Sequence, residues 1–235
     1  MKGVEKWYEE SYKSGGFKAQ RRYPNEELLR FLGGTFFNKI DIKNRQKIKI
    51  LEVGCGSCAN LWMVAKEGFD AYGLDISHEA LKLGEQMLNK WQVNADLKQG
   101  SFLELPYKDE SFDVVIDVVS MSCVNHNEMI QGLGEVHRVL KKNGLFFSYE
   151  NSQDSSVFRD YLPARKLDEY TLNGIYREGS PLAGNHYPLH FWKKEDYIKT
   201  LNNINFDVEY MERVRKEYFE GREYMEYLSC YARRK

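Results

Sequence analysis

The segment Leu51-Glu-Val-Gly-Cys-Gly-Ser-Cys-Ala-Asn-Leu61 constrains the fold of this chain more than any other. It begins inside a short apolar run, Ile48 to Val53, with the composition of a strand buried on both faces. It ends where Leu61, Val64 and Ala65 take up helical spacing, in a helix from Ala59 to Glu67 that Gly68 stops. Between the two, Gly54-Cys-Gly-Ser-Cys-Ala59 fits G-x-G-x-x-G/A, a turn whose glycines let a ligand approach the backbone. Three ligands compete for such a turn. The glycines suit a dinucleotide, the C-x-x-C pair Cys55 and Cys58 suits a metal or redox partner, and Glu52 puts a carboxylate two residues before the first glycine.

The rest of the chain repeats the strand–helix alternation. Strands are predicted at 70–74, 95–99, 112–119 and 145–149. Ser77 caps a helix that carries Glu79 in its first turn and buries Ala80, Leu81, Gly84 and Leu88. A further helix spans 129–140 and ends in Lys141-Lys-Asn-Gly144. The expected fold is therefore α/β: a Rossmann-like, doubly wound, mostly parallel seven-stranded sheet with helices on both faces. Residues 1–45 read as an N-terminal helical cap with one helix, Pro24 to Leu32, and 46–150 as the ligand-binding core. Residues 151–190 read as an irregular lid inserted after the fifth strand, and 191–235 as a C-terminal helix with two closing strands, all within a single domain over 1–235.

Composition narrows the partners. The formal net charge is −1, which offers no broad field for nucleic acid or an anionic membrane. No apolar run reaches membrane-spanning length, the N-terminus has no signal-peptide core, and four irregularly spaced cysteines make no disulfide framework. A cytoplasmic protein with a small-molecule partner is expected; oligomeric state is left open.

A closed zinc site needs four ligands, and no second C-x-x-C or histidine pair accompanies Cys55 and Cys58, so no metal is expected. Asp75, about twenty residues past the loop at the end of the second strand, suits ribose hydroxyls in dinucleotide and sulfonium-nucleoside binders alike. Glu52 separates them. A carboxylate beside the loop repels a pyrophosphate but suits an α-amino group and a positive sulfur.

With these residues in view, the chain resembles the class I S-adenosylmethionine-dependent methyltransferases over roughly 45–150. The matching segments are "LEVGCGSCANL", "YGLDIS", "GSFLELPYKDESFDVVID" and "EVHRVLKKNGLFFSYE", in family order and spacing. The resemblance implies S-adenosyl-L-methionine as cofactor. It places Glu52 near the methionyl amine, backbone at Gly54, Cys55 and Gly56 against the methionine part, Asp75 on the ribose and Ile76 on the adenine face. Ser101 and Phe102 fall at the adenine-reading positions, and Asp117 and Val118 beside the sulfonium. Tyr12, Arg22 and Tyr23 would close the pocket, Arg22 pairing the cofactor carboxylate. Two residues depart from the pattern: Cys58 stands at a frequent third glycine, and Ser101 replaces a frequent aspartate.

Methyl transfer to an alcohol needs a base, whereas a neutral amine or an anion needs none. His126, in the polar loop Ser122 to Asn127, is the first candidate base, with capping of the following helix as its alternative role; Glu150 is the second. Asn151, Arg159, Arg177, His186, Tyr187 and His190 are the candidates for the acceptor side. "FSYENSQDS…HFW" and "RRYPNEELLRFL" are similar to bacterial enzymes of surface-glycan and small-metabolite pathways. That similarity implies O-methylation of a sugar, a nucleotide-linked precursor or a phosphorylated metabolite. The alternatives are an inactive cofactor-binding scaffold or partner subunit, and an NAD(P)-dependent reductase.

Overall fold

The structure is a computed structural model that describes residues 2–18, 20–176 and 179–235. Strands β1 (Lys49–Val53), β2 (Asp70–Asp75), β3 (Asp96–Gln99), β4 (Phe112–Val118) and β5 (Leu140–Asn151) are parallel and lie in the order β3-β2-β1-β4-β5. Three further strands, β6 (Arg165–Lys166), β7 (Thr171–Ile175) and β8 (Asn185–His190), form a separate antiparallel sheet. The last two, β9 (Phe206–Tyr218) and β10 (Glu223–Arg234), complete the main sheet at seven strands, with β10 antiparallel to both β5 and β9. Strand order reverses between β1 and β4, so a crevice opens beyond their C-terminal ends, where open parallel sheets bind ligands.

The helices are α1 (Lys2–Gly15), α2 (Glu26–Leu32), α3 (Ile42–Arg45), α4 (Leu61–Lys66), α5 (His78–Trp91), α6 (His126–Val139), α7 (Ser156–Arg159) and α8 (Lys194–Asn203). Ile50, Val114 and Ile116 pack with α2, α4 and α5 through Leu28, Leu61 and Leu81. Their neighbours Leu51, Val53 and Val115 pack on the opposite face with α6 and α8 through Leu133, Val136 and Tyr197. Both sides of each central strand thus carry apolar residues, which explains the adjacent hydrophobic pairs and triplets Ile50-Leu51 and Val114-Val115-Ile116. Ser77 caps α5 as its spacing predicts, accepting the Ala80 N–H at 3.0 Å. None of the described helices is long and apolar enough to cross a membrane.

Three segments differ from expectation. Residues 151–190 are not a structureless lid: α7 and the β6–β8 sheet occupy much of that length, and Leu172, Tyr187 and Leu189 share a core with Val4 and Met225. Pro188 hid this order, because proline is tolerated in β8 as an edge strand, where no further strand needs its missing N–H. The N-terminal cap contains a 14-residue helix, α1, ahead of the expected one. Its inward face is built from Val4, Tyr8 and Tyr12, residues whose tyrosines mask the helical period. Finally, α6 begins at His126 rather than Met129, because Asn125 and Glu128 form a reciprocal capping box.

Candidate functional site

A cavity of about 300 Å³ lies over the ends of β1 and β4, and its lining includes Glu52, Gly54, Gly56, Asp75, Phe102 and Val118. The loop after β1 adopts left-handed backbone at Gly54 (φ 64°) and Gly56 (φ 53°). A Cβ on Gly54 would lie 2.2 Å from Ser120 Cβ, and one on Gly56 would lie 2.6 Å from the Tyr12 hydroxyl. Both positions therefore exclude side chains twice, by conformation and by space. Cys58 holds the same left-handed conformation (φ 61°) with a side chain, which Gly84 accommodates: a Cβ there would be 2.6 Å from the Cys58 sulfur. Among the described residues all four cysteines are free thiols, and all are buried.

Two carboxylates mark the cavity. Glu52 is 2% exposed and accepts a 2.6 Å hydrogen bond from Asn60 Nδ2 on Oε1, while Oε2 has no protein partner. Burial raises its pKa to about 8, against the opposing effects of the Asn60 bond and the Arg21 charge. Asp75 accepts the Gly56 N–H at 2.8 Å on one oxygen and the Ser77 N–H at 2.9 Å on the other. It thereby ties the glycine loop to the start of α5, and each oxygen keeps a lone pair for a ligand hydroxyl. Burial also raises the Asp75 pKa, opposed by these N–H donors.

Helix α1 forms the roof. Glu9 accepts Ser77 Oγ at 2.6 Å and the Glu79 N–H at 3.3 Å, which seats α1 on the N-terminus of α5. One turn on, Tyr12 covers Gly56; one residue back, Tyr8 hydrogen-bonds Tyr187 at 2.8 Å and Cys123 Sγ at 3.2 Å. Burial pushes the Tyr8, Tyr12 and Tyr187 hydroxyls above the ordinary phenol range and the Cys123 thiol up to about 12.

Of the residues expected to hold a cofactor, Tyr12, Glu52, Gly54, Cys55, Gly56, Asp75, Ile76, Ser101, Phe102 and Val118 line this one cavity. Three do not. Arg22 points its Nε at the Phe17 carbonyl, 3.4 Å away, and the neighbouring Arg21 lines the cavity instead. Tyr23 is 65% exposed and packs edge-on against Trp62 and Trp91. Asp117 lies under the floor. Its Oδ1 accepts the N–H groups of Ser120 and Met121, each at 3.0 Å, which fixes the loop after β4.

The base candidates are corrected more sharply. Glu150 is fully buried beside Asp117 and is bonded by Ser122 Oγ, outside the cavity lining. Burial and the Asp117 charge raise its pKa well above its ordinary value, while burial raises Asp117 to about 6. His126 sits at the first position of α6, stacked on Tyr170 at 4.3 Å, with Nδ1 3.0 Å from His190 Nε2. It faces the small sheet, not the cavity, because the capping box starts the helix there.

Among the described acceptor-side candidates only Tyr187 lines the cavity. Asn151 and His190 are buried behind it, linked by a 3.3 Å bond from Asn151 Nδ2 to the His190 carbonyl. His186 is exposed beside Tyr176, and Arg159 pairs with Asp154 at 2.6 Å on the surface. Arg177 lies outside the described residues. Residues the sequence reading missed are Tyr8, Arg21, Asn60, Ser120, Cys123 and Asn185, all in the lining.

These groups fit S-adenosyl-L-methionine. The unpartnered Glu52 oxygen suits the amino end, Asp75 the ribose, Ile76 and Phe102 an adenine, and the loop leaves no bulk where the methionine chain would run.

A family profile described as "Methyltransferase domain" matches residues 50–144. The demethylmenaquinone methyltransferase of Alkalihalophilus pseudofirmus is 31% identical over 56% of this chain and 64% of its own length. The mitochondrial 2-methoxy-6-polyprenyl-1,4-benzoquinol methylase of Bos taurus is 29% identical over 76% of this chain and 55% of its own. The chain thus spans less than two thirds of the length of these curated relatives. Among solved structures, a S-adenosylmethionine-dependent methyltransferase of Methanosarcina mazei superposes with a TM-score of 0.65 at 23% identity, covering 79% of this chain and 92% of the other. The 1,6-didemethyltoxoflavin-N1-methyltransferase of Burkholderia thailandensis superposes at 0.65 with 14% identity, covering 99% and 88%. Sheet order and loop geometry give this chain the fold of those S-adenosylmethionine-dependent methyltransferases, and its residues 50–144 match the methyltransferase domain family.

Proposed function

We propose that this protein transfers a methyl group from S-adenosyl-L-methionine to a small, largely apolar ring-shaped acceptor. The observation that carries the reading is the pairing of Glu52, with one buried oxygen unpartnered, and Asp75 in one cavity with the glycine loop. When bound, the sulfonium supplies a methyl carbon already activated for displacement. The protein's own work is then to hold the acceptor in line and exclude water. Gly54 and Gly56 allow close approach, Glu52 and Asp75 orient the two ends, and α1 closes the roof through Glu9 and Tyr12.

The finer expectation of a sugar, nucleotide-linked or phosphorylated acceptor finds little support in the lining. Beyond the cofactor groups, the apolar and aromatic Val4, Tyr8, Cys123, Val124, Leu182, Tyr187 and Leu189 outnumber the polar Gln20, Ser120 and Asn185. Arg21 is the one cation among the described lining residues, and Arg159 is on the surface. Such a lining suits a flat apolar ring with one or two polar substituents. The relatives named for a demethylmenaquinone and a benzoquinol accord with this preference. Calorimetry with S-adenosylhomocysteine and NAD side by side tests the cofactor: sulfur-ligand binding without NAD binding is expected, and the reverse overturns the reading. Transfer of labelled methyl to ring acceptors then separates an enzyme from a binding scaffold.

A further inference from the structure

Tyr8, Tyr187 and Cys123 come from three distant parts of the chain, α1, β8 and the loop after β4, and meet in the cavity lining. Tyr8 contacts the Tyr187 hydroxyl at 2.8 Å and Cys123 Sγ at 3.2 Å, and the Cys123 thiol reaches the Val119 carbonyl at 3.7 Å. Each of the three groups carries one proton. If the thiol donates to Val119 and Tyr8 donates to Tyr187, both are satisfied, and the Tyr187 proton has only the neighbouring Cys123 sulfur, a weak acceptor, to compete with a ligand oxygen in the cavity. The Tyr8 bond then polarises the Tyr187 hydroxyl and makes it a better donor.

None of the three can remove a proton near neutrality, because burial holds each in its protonated form. The other described ionisable groups in the lining are Arg21, Glu52, Cys55, Asp75 and Tyr12. On the reading above, the free Glu52 oxygen is taken by the cofactor's amino end and Asp75 by the ribose, Cys55 and Tyr12 are likewise held protonated, and Arg21 is a cation. A cluster that donates but does not accept protons selects an acceptor that arrives ionised.

From this we propose that the Tyr8–Tyr187–Cys123 cluster is an acceptor-recognition site for the ionised hydroxyl of a planar phenol or enol. Tyr187 donates to the oxygen, and Tyr8 acts as the positioning residue behind it. This rests on the methyl-transfer reading above. The hydroxyl proton leaves to solvent as the acceptor binds. The ionised oxygen, or the ring carbon it activates, then forms its bond to the methyl carbon as the carbon–sulfur bond breaks, and the electron pair stays on sulfur to leave a neutral thioether. A methylated ring carbon releases its hydrogen to solvent as a proton while the oxygen takes one up. A sugar alcohol, far less acidic, has no partner here to take its proton.

The test uses 4-nitrophenol, whose absorbance distinguishes phenol from phenolate, added to the full chain saturated with sinefungin, an analogue carrying an amine in place of the sulfonium. Wild-type protein should bind the probe with the phenolate favoured about tenfold over its solution ratio at the same pH, since hydrogen bonds to a charged form stabilise it. Tyr187→Phe should abolish that preference and Tyr8→Phe should weaken it about threefold, both with sinefungin affinity within twofold of wild type. Sinefungin binding with no bound nitrophenol, with an unshifted phenolate ratio, or with the same shift in both variants would overturn the proposal and leave the cofactor reading standing. Failure to bind sinefungin at all would overturn both.

Discussion

Asn60 holds Glu52 and the incoming N-terminal segment at once: Nδ2 donates to Glu52 Oε1 at 2.6 Å, and Oδ1 accepts the Asn25 N–H at 2.8 Å. Asn25 in turn caps α2 by accepting the Leu28 N–H at 3.0 Å. One amide therefore aligns the carboxylate and fastens the strap that leads from the roof helix into the core. In the cofactor complex, where the ammonium favours ionised Glu52, Asn60→Ala leaves the buried carboxylate without its donor, at a cost of about 1.5–3 kcal/mol for a hydrogen bond to a charged group. Cofactor affinity should fall about tenfold or more, and Asn60→Asp should fall further because it sets a like charge beside Glu52. Calorimetry with S-adenosylhomocysteine reads both; unchanged affinity in Asn60→Ala would remove Asn60 from the site.

Glu52 also sets a pH dependence. Its pKa is raised by burial from the ordinary 4.5 to about 8, so the free protein holds a proton there at neutrality. A folded-state pKa above the unfolded one contributes stability below about pH 4.5, and that contribution is lost as pH rises through about 8. The free protein should therefore lose thermal stability across that window, and Glu52→Gln should raise the free protein's Tm at pH 8, by about 2–4 °C per kcal/mol recovered. Ligand binding runs the other way. An ammonium against the Glu52 carboxylate favours the ionised form, so cofactor affinity should rise with pH up to about 8, by as much as tenfold per unit, with proton release on binding. Glu52→Gln should flatten this profile and weaken binding; a steep profile retained in the variant would assign the titration to another group.

The cofactor half of this arrangement was legible in the sequence because it is local. Glu52, Gly54, Gly56 and Asp75 are separated by short, fixed steps through one strand, one turn and one helix, and each residue type has one physical reason to be there. Asn60 was not legible: it stands at the N-cap position of α4, where an asparagine ordinarily bonds the helix backbone, yet it makes no such bond and turns to Glu52 instead. The acceptor half depends on contacts such as Tyr8 to Tyr187, 179 positions apart, which no periodicity encodes. Arg21 and Arg22 show the finest limit. Adjacent identical residues differ in which one faces the cavity, and only the path of the backbone decides it.

His126, the expected base, starts α6 and lies outside the cavity lining. Its ring stacks on Tyr170 and meets His190 through the Nδ1–Nε2 contact, and its backbone N–H is directed at Asp168 Oδ2 at 3.5 Å. His126→Ala should leave cofactor affinity within about twofold and turnover within about threefold, while lowering Tm through loss of the stacked rings, each such pair contributing about 0.5–1.5 kcal/mol. The buried His190 beside it has a pKa pushed down to about 3 by burial and by the His126 charge. A depressed histidine contributes stability above its ordinary 6.5 that is lost as pH falls toward about 3. Acid melts should therefore show a component between those limits that His190→Gln removes. A His126→Ala enzyme with turnover lost but cofactor binding intact would restore the histidine to the chemistry.

The contact between Tyr12 and Gly56 offers the most discriminating mutational test, since it joins roof to loop. A Cβ at Gly56 would come within 2.6 Å of the Tyr12 hydroxyl and 3.6 Å of its Cζ, on backbone at φ 53°. Gly56→Ala thus carries two penalties, a left-handed alanine at about 1–2 kcal/mol and a steric clash that displaces the tyrosine. Tyr12→Phe removes the clashing oxygen but not the backbone strain. The double variant should accordingly bind S-adenosylhomocysteine better than Gly56→Ala alone and worse than Tyr12→Phe alone. The coupling energy should fall in the 0.5–3 kcal/mol range of residues in contact. Additive effects would mean that α1 does not rest on the loop in solution, and that the roof is seated by Glu9 on Ser77 alone.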